Sequence, residues 1–96
     1  MNKKLISTEL DNMFDAILSL ENREECYDFF EDLCTYPELK ALSQRFQVAT
    51  LLLKGHVYND IVETTGASTA TISRVKRSLD NGNDGYKTAL KKLGRL

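Results

Sequence analysis

One proline and five glycines in 96 residues leave few places where a helix has to break. No stretch alternates polar and apolar residues for long enough to read as a strand. No apolar run approaches the ~20 residues needed to span a bilayer. Nothing at the start resembles a secretion signal either, since Leu5-Ile6 is followed at once by Ser7, Thr8 and Glu9. A cytoplasmic location without membrane partners is the expectation. The chain also has one histidine, no glycine-rich phosphate loop and no grouping of metal ligands. No catalytic residue, cofactor or metal is therefore expected. Glu24-Glu25 and Glu31-Asp32 are adjacent carboxylates that read as solvated helix face rather than as a catalytic pair. Cys26 and Cys34 lie in one helical stretch, where eight residues span ~12 Å, too far for a disulfide. They are expected to be reduced thiols serving as small core residues.

What is present is one domain's worth of chain, residues 1–96, with 42% apolar and 28% charged residues. The net charge of −1 argues against a polyanion partner until its distribution is followed. Residues 1–39 carry three basic and ten acidic side chains, whereas residues 40–96 carry ten basic and four acidic ones. Such asymmetry suggests that the second half meets a polyanion while the first does something else. Chance clustering on solvated faces is the alternative.

Apolar residues recur at three- and four-residue steps, the period of helices. Thr8 can cap a first helix bearing Leu10, Met13, Phe14, Ile17 and Leu20. Asn22 and Glu25 open a second, striped by Cys26, Phe29, Phe30 and Leu33. Thr35-Tyr36-Pro37-Glu38 is a capping box with proline in the first turn, where its missing N–H costs nothing. The helix behind it should run over residues 37–54 and stop at Gly55. Its apolar face comprises Leu39, Leu42, Phe46, Ala49, Leu52 and Leu53. Two further helices should lie within residues 58–79, joined at Gly66. A loop at residues 81–85 then leads to a last helix over residues 86–94, which carries Leu90 and Leu93 with Lys87, Lys91 and Lys92. The fold class is all-α, with six helices.

The informative segment is residues 58–79. Ile61 and Val62 supply the buried middle of a first short helix. Gly66 supplies the positive-φ turn, and Ser68 can cap a second helix. At ~100° per residue, Val75 and Leu79 fall within ~60° of Ile72 and make a buried stripe. Ala70, Ser73, Arg74 and Arg77 fall on the opposite face, small at the start and cationic further along. That is the pattern of a helix-turn-helix whose second helix enters the major groove of duplex DNA. Ser68, Thr69, Ala70, Ser73, Arg74 and Arg77 are the candidate DNA-contacting residues. Arg45, Lys54 and Lys76 are candidate phosphate contacts, although Lys76 flanks the core side and an ion pair explains Arg45 equally well. The same face could instead dock a protein, which is the alternative reading.

Residues 35–79 resemble the Trp repressor family, and more closely its compact Trp-repressor-related group from Gram-positive bacteria. The resemblance rests on Ala41-Leu42, Arg45, Leu52-Leu53-Lys54-Gly55, Gly66-Ala67 and Ala70-Thr71-Ile72-Ser73-Arg74. It implies an all-helical homodimer whose N-terminal helices interlock, leaving one helix-turn-helix at each end. Residues 9–34 would then dimerise, residues 37–54 form the central helix and residues 58–79 bind DNA. The resemblance further implies a corepressor site flanked by Arg45 and Arg74, with Thr35 and Ser78 at polar positions. A glycine follows the recognition-helix arginine in the family's amino-acid-responsive members, and Val75 stands there here. Overfilling a close-packed site by that much costs ~1–3 kcal/mol, so tryptophan is not expected as corepressor. The expected function is a sequence-specific DNA-binding transcriptional regulator, a repressor. His56 reads as an ordinary loop residue or as a titrating neighbour of the DNA site. Lys87, Lys91, Lys92 and Arg95 read as added phosphate contacts or as a solvated, dipole-favoured helix end.

Overall fold

The computed structural model describes residues 3–96. Among them are six α-helices and no strand: α1 (Thr8–Ser19), α2 (Arg23–Leu33), α3 (Tyr36–Leu53), α4 (Tyr58–Thr65), α5 (Thr69–Asn81) and α6 (Gly85–Lys92). A single 3-10 turn, Lys3–Leu5, precedes them. Contacts gather into two compact units, one ending at Leu39 and the other comprising Lys40–Leu96.

In the first unit, side-chain caps set where helices begin. The cap of α1 is Ser7 rather than Thr8: its backbone is extended and its Oγ accepts from the Leu10 N–H at 3.1 Å. Thr8 is already helical, so it occupies the first turn instead. Asn22 caps α2 by accepting from the Glu25 N–H at 2.9 Å, while Glu25 reaches back to the Glu21 N–H at 2.8 Å. Thr35 and Glu38 make the reciprocal box on α3. The Glu38 carboxylate accepts from the Thr35 N–H at 2.8 Å, and the Thr35 hydroxyl accepts from the Glu38 N–H at 3.3 Å.

Neither α1 nor α2 contains a buried residue. Leu18 is 81% exposed, and Phe14, Tyr27 and Leu33 are also exposed. Two amphipathic helices of this length do not enclose an interior by themselves. Cys26 is consequently exposed and Cys34 half-buried, both as free thiols, which corrects the expectation of small core residues.

The second unit has the core. Val48 and Ala49 of α3, Ile61 of α4, Ala67 of the turn, and Ile72 and Val75 of α5 form one buried cluster. Leu51, Leu52, Val62, Leu79 and Tyr86 close around it. Tyr86 also sets its ring 6.2 Å from that of Phe46, joining α6 to α3. Val48 is buried although it lies outside the expected face of α3, while Leu42, expected on that face, is exposed. On α6 Leu90 is buried, but Leu93 is exposed because it is the cap residue beyond the last turn.

Two of these helices, α3 and α6, end in the same glycine motif. Gly55 has φ +88°; its N–H donates to the Leu52 carbonyl at 3.0 Å, and that of His56 to the Leu51 carbonyl at 3.0 Å. These are the paired bonds of a Schellman motif, which satisfies carbonyls that a helix end otherwise leaves open. Gly94 repeats the motif after α6, with Gly94 N–H to the Lys91 carbonyl and Arg95 N–H to the Leu90 carbonyl.

The box at α3 gives a pH test. The hydrogen bonds from Thr35 lower the pKa of Glu38. A depressed carboxylate pKa stabilises the fold above the unfolded value, near 4.3, and that contribution disappears as pH falls through the folded value. Thermal unfolding of the wild type and Glu38→Ala should differ at pH 7, and the gap should narrow by pH 3.

Candidate nucleic-acid interface

The turn between α4 and α5 is built from three kinds of constraint. Gly66 adopts φ +71°, the left-handed conformation that a side chain resists, and its N–H closes on the Val62 carbonyl at 2.9 Å. Ala67 is buried and inserts the turn into the core cluster. Thr65 joins the two sides: its hydroxyl donates to the Ile61 carbonyl at 2.7 Å and accepts from the Ala67 N–H at 3.0 Å. Ser68 then caps α5, accepting from the Thr71 N–H at 3.1 Å while its own hydroxyl bonds that of Thr71.

With both ends of the turn fixed, α5 presents two faces of opposite character. Ile72 and Val75 are buried and Leu79 is half-buried. Ser68, Thr69, Ala70, Ser73, Arg74 and Arg77 are all exposed, and the structure gathers them along one side of α5 and its cap. Among the described residues, the ion pairs are Lys76–Asp80 and Lys87–Asp84. Arg74 and Arg77 therefore face solvent without a carboxylate partner. Lys76 does not share that freedom, because its Nζ lies 3.0 Å from Asp80, one turn along α5. Lys54 is exposed beside the Gly55 cap. Arg45 is half-buried on α3, and it has no ion pair among the described residues. An ion pair was one of the two expectations for Arg45.

Two residues in this unit, Gln44 and Gly82, carry no signal in the apolar pattern. Gln44 on α3 donates from Nε2 to the Thr65 carbonyl at 3.2 Å, tying the turn to the central helix. A threonine directly before a helix-ending glycine hints at a side-chain clasp, but its partner 21 residues away is invisible to local spacing. Gly82 is the other: a Cβ there would overlap the Ser78 carbonyl oxygen, so the end of α5 requires glycine.

No group of three or more His, Cys, Asp or Glu among the described residues is placed to hold a metal ion. No described helix is long and apolar enough to cross a membrane.

A family model described as the Trp repressor protein matches residues 8–94. The chain belongs to the Trp repressor family. It is 56% identical over 90 residues to the Bacillus subtilis protein YerC, covering 94% of this chain and 86% of that one. It superimposes with a TM-score of 0.95 on a crystal structure from Staphylococcus aureus described as a candidate Trp repressor. That match has 56% identity and covers 100% of this chain and 97% of the other. A TrpR-like protein from Eubacterium eligens gives the same TM-score of 0.95 and 56% identity, with 99% and 98% of the two chains covered. Trp repressor proteins are DNA-binding regulators of transcription.

The two faces of α5 separate in a stability measurement. Ile72→Ala should cost about 2–5 kcal/mol by emptying the core cluster. Arg74→Ala and Arg77→Ala should stay within about 0.5 kcal/mol of wild type in urea unfolding, since their side chains touch nothing that folding requires.

Proposed function

We propose that the chain is a homodimeric, sequence-specific transcriptional repressor of duplex DNA that acts in the cytoplasm and does not answer to tryptophan. The observation that carries the reading is the outer face of α5. Small residues, Thr69, Ala70 and Ser73, stand near its start, followed by Arg74 and Arg77, which no carboxylate neutralises. Small side chains let the helix approach base edges, and arginine reads guanine or holds phosphate. Arg45 and Lys54 are further phosphate contacts in this reading. Lys76 contributes less, because Asp80 already holds it.

Support for the dimer comes from the first unit. Its helices leave Phe14, Leu18 and Leu33 in water, an arrangement that a second copy of the same helices would relieve. In that dimer two α5 helices would enter successive major grooves ~34 Å apart, on a roughly palindromic site.

The absence of a tryptophan response rests on Val75. Its side chain is 1% exposed within the cluster that includes Val48, Ala49 and Ile72. The position that is glycine in tryptophan-binding relatives is thus filled by the chain itself.

Selection of bound sequences from random duplex DNA should yield an inverted repeat, and a chain that enriches none would overturn the assignment. Affinity for the selected site should fall with salt at a log–log slope of ~−0.9 per neutralised phosphate. Arg77→Ala should weaken binding and flatten that slope. Calorimetric titration with tryptophan should show no micromolar binding, and a site of that affinity would refute the Val75 reasoning.

A further inference from the structure

We infer that Gln44 and Thr65 are positioning residues, which fix the angle at which α5 meets DNA and thereby set sequence discrimination. The inference rests on the DNA-binding reading above and extends it to two side chains on no candidate interface.

The carbonyl of Thr65 belongs to the last turn of α4, where no following helical N–H is available to it. Gln44 supplies the missing donor at 3.2 Å, from a half-buried position on α3. The hydroxyl of the same Thr65 clasps Ala67 across Gly66. One residue thus receives the central helix on its backbone and holds the turn with its side chain. Ala67 leads directly into Ser68, the cap from which α5 starts. The path from α3 to the first turn of α5 runs through two hydrogen bonds, at 3.2 and 3.0 Å, with one buried methyl beside them.

The core cluster alone holds α5 against α3 through Ile72 and Val75, contacts that are non-directional and tolerate small rotations. Hydrogen bonds are directional and weaken steeply away from linearity. The apolar cluster therefore keeps α5 docked, and the Gln44–Thr65–Ala67 bonds determine its direction. A misdirected α5 keeps its arginines near phosphates, which act over distance, but loses the alignment that base-edge bonds need.

The test uses the full-length chain and the duplex selected from random sequence. Gln44→Leu removes the donor, Thr65→Val removes the hydroxyl at nearly constant shape, and Thr65→Ser restores it. Affinity for the selected duplex relative to a scrambled one should fall about threefold to tenfold in Gln44→Leu and Thr65→Val, the scale of one lost hydrogen bond. Thr65→Ser should recover most of that ratio. Binding to the scrambled duplex and its salt slope should be unchanged in all three. Amide exchange should quicken at Ala67 and Ser68 in the two defective variants while Val48 and Ile72 stay protected. An unchanged ratio with faster exchange would overturn the inference. So would equal losses on both duplexes that track the folded fraction, because the residues would then be structural only. If the wild-type chain binds neither duplex, the DNA-binding reading itself fails, and that result is evident before any substitution is made.

Discussion

Eight residues of α4 and thirteen of α5 are too few to bury an apolar face between themselves, so the helix-turn-helix holds its angle only against a third element. That element is α3, which contributes Val48 and Ala49 to the cluster containing Ile61, Ala67, Ile72 and Val75. Ala49 and Ala67 contribute small buried side chains to that cluster. The β-branched Ile61, Ile72, Val48 and Val75 fill the remaining space with few rotamers to freeze. Remove that cluster and the outer face of α5 has the same residues but is no longer docked against α3.

The two units answer to different physics. Residues 40–96 carry the excess of basic charge and also hold a closed core. The helices before Leu39 are acidic and well capped, yet their apolar side chains are open. Caps fix where a helix starts and add modest stability, but they supply no core. The proposed reading of the first unit as a dimerising half accounts for the open apolar side chains.

Much of this was legible in the sequence because it depends on local chemistry. The Thr35–Glu38 and Asn22–Glu25 boxes, the Gly55 and Gly66 stops and the Ser68 cap are encoded within four residues of where they act. The stripe of Ile72, Val75 and Leu79 follows from helical period alone. Other features depend on what a helix packs against. Val48 rather than Leu42 faces the core because α4 and α5 lie on that side of α3, and no period reveals it. Cys26 and Cys34 were expected inside since cysteine is often buried, but α2 has no interior to receive them. Ser7 displaced Thr8 as a cap because both hydroxyls suit the role and only backbone conformation chooses. The Gln44–Thr65 bond joins positions 21 apart, beyond any local rule.

Gly82 stops α5 in a way that does not depend on what the helix touches outside the molecule. The Ser78 carbonyl occupies the space of its missing side chain, so the length of the helix is set from within the backbone. Thr69, Ala70, Ser73, Arg74 and Arg77 sit upstream of that stop and outside the core. The exposed face of α5 and the frame that ends the helix are thus set by different residues, so substitutions on that face can change what it presents without altering where the helix stops.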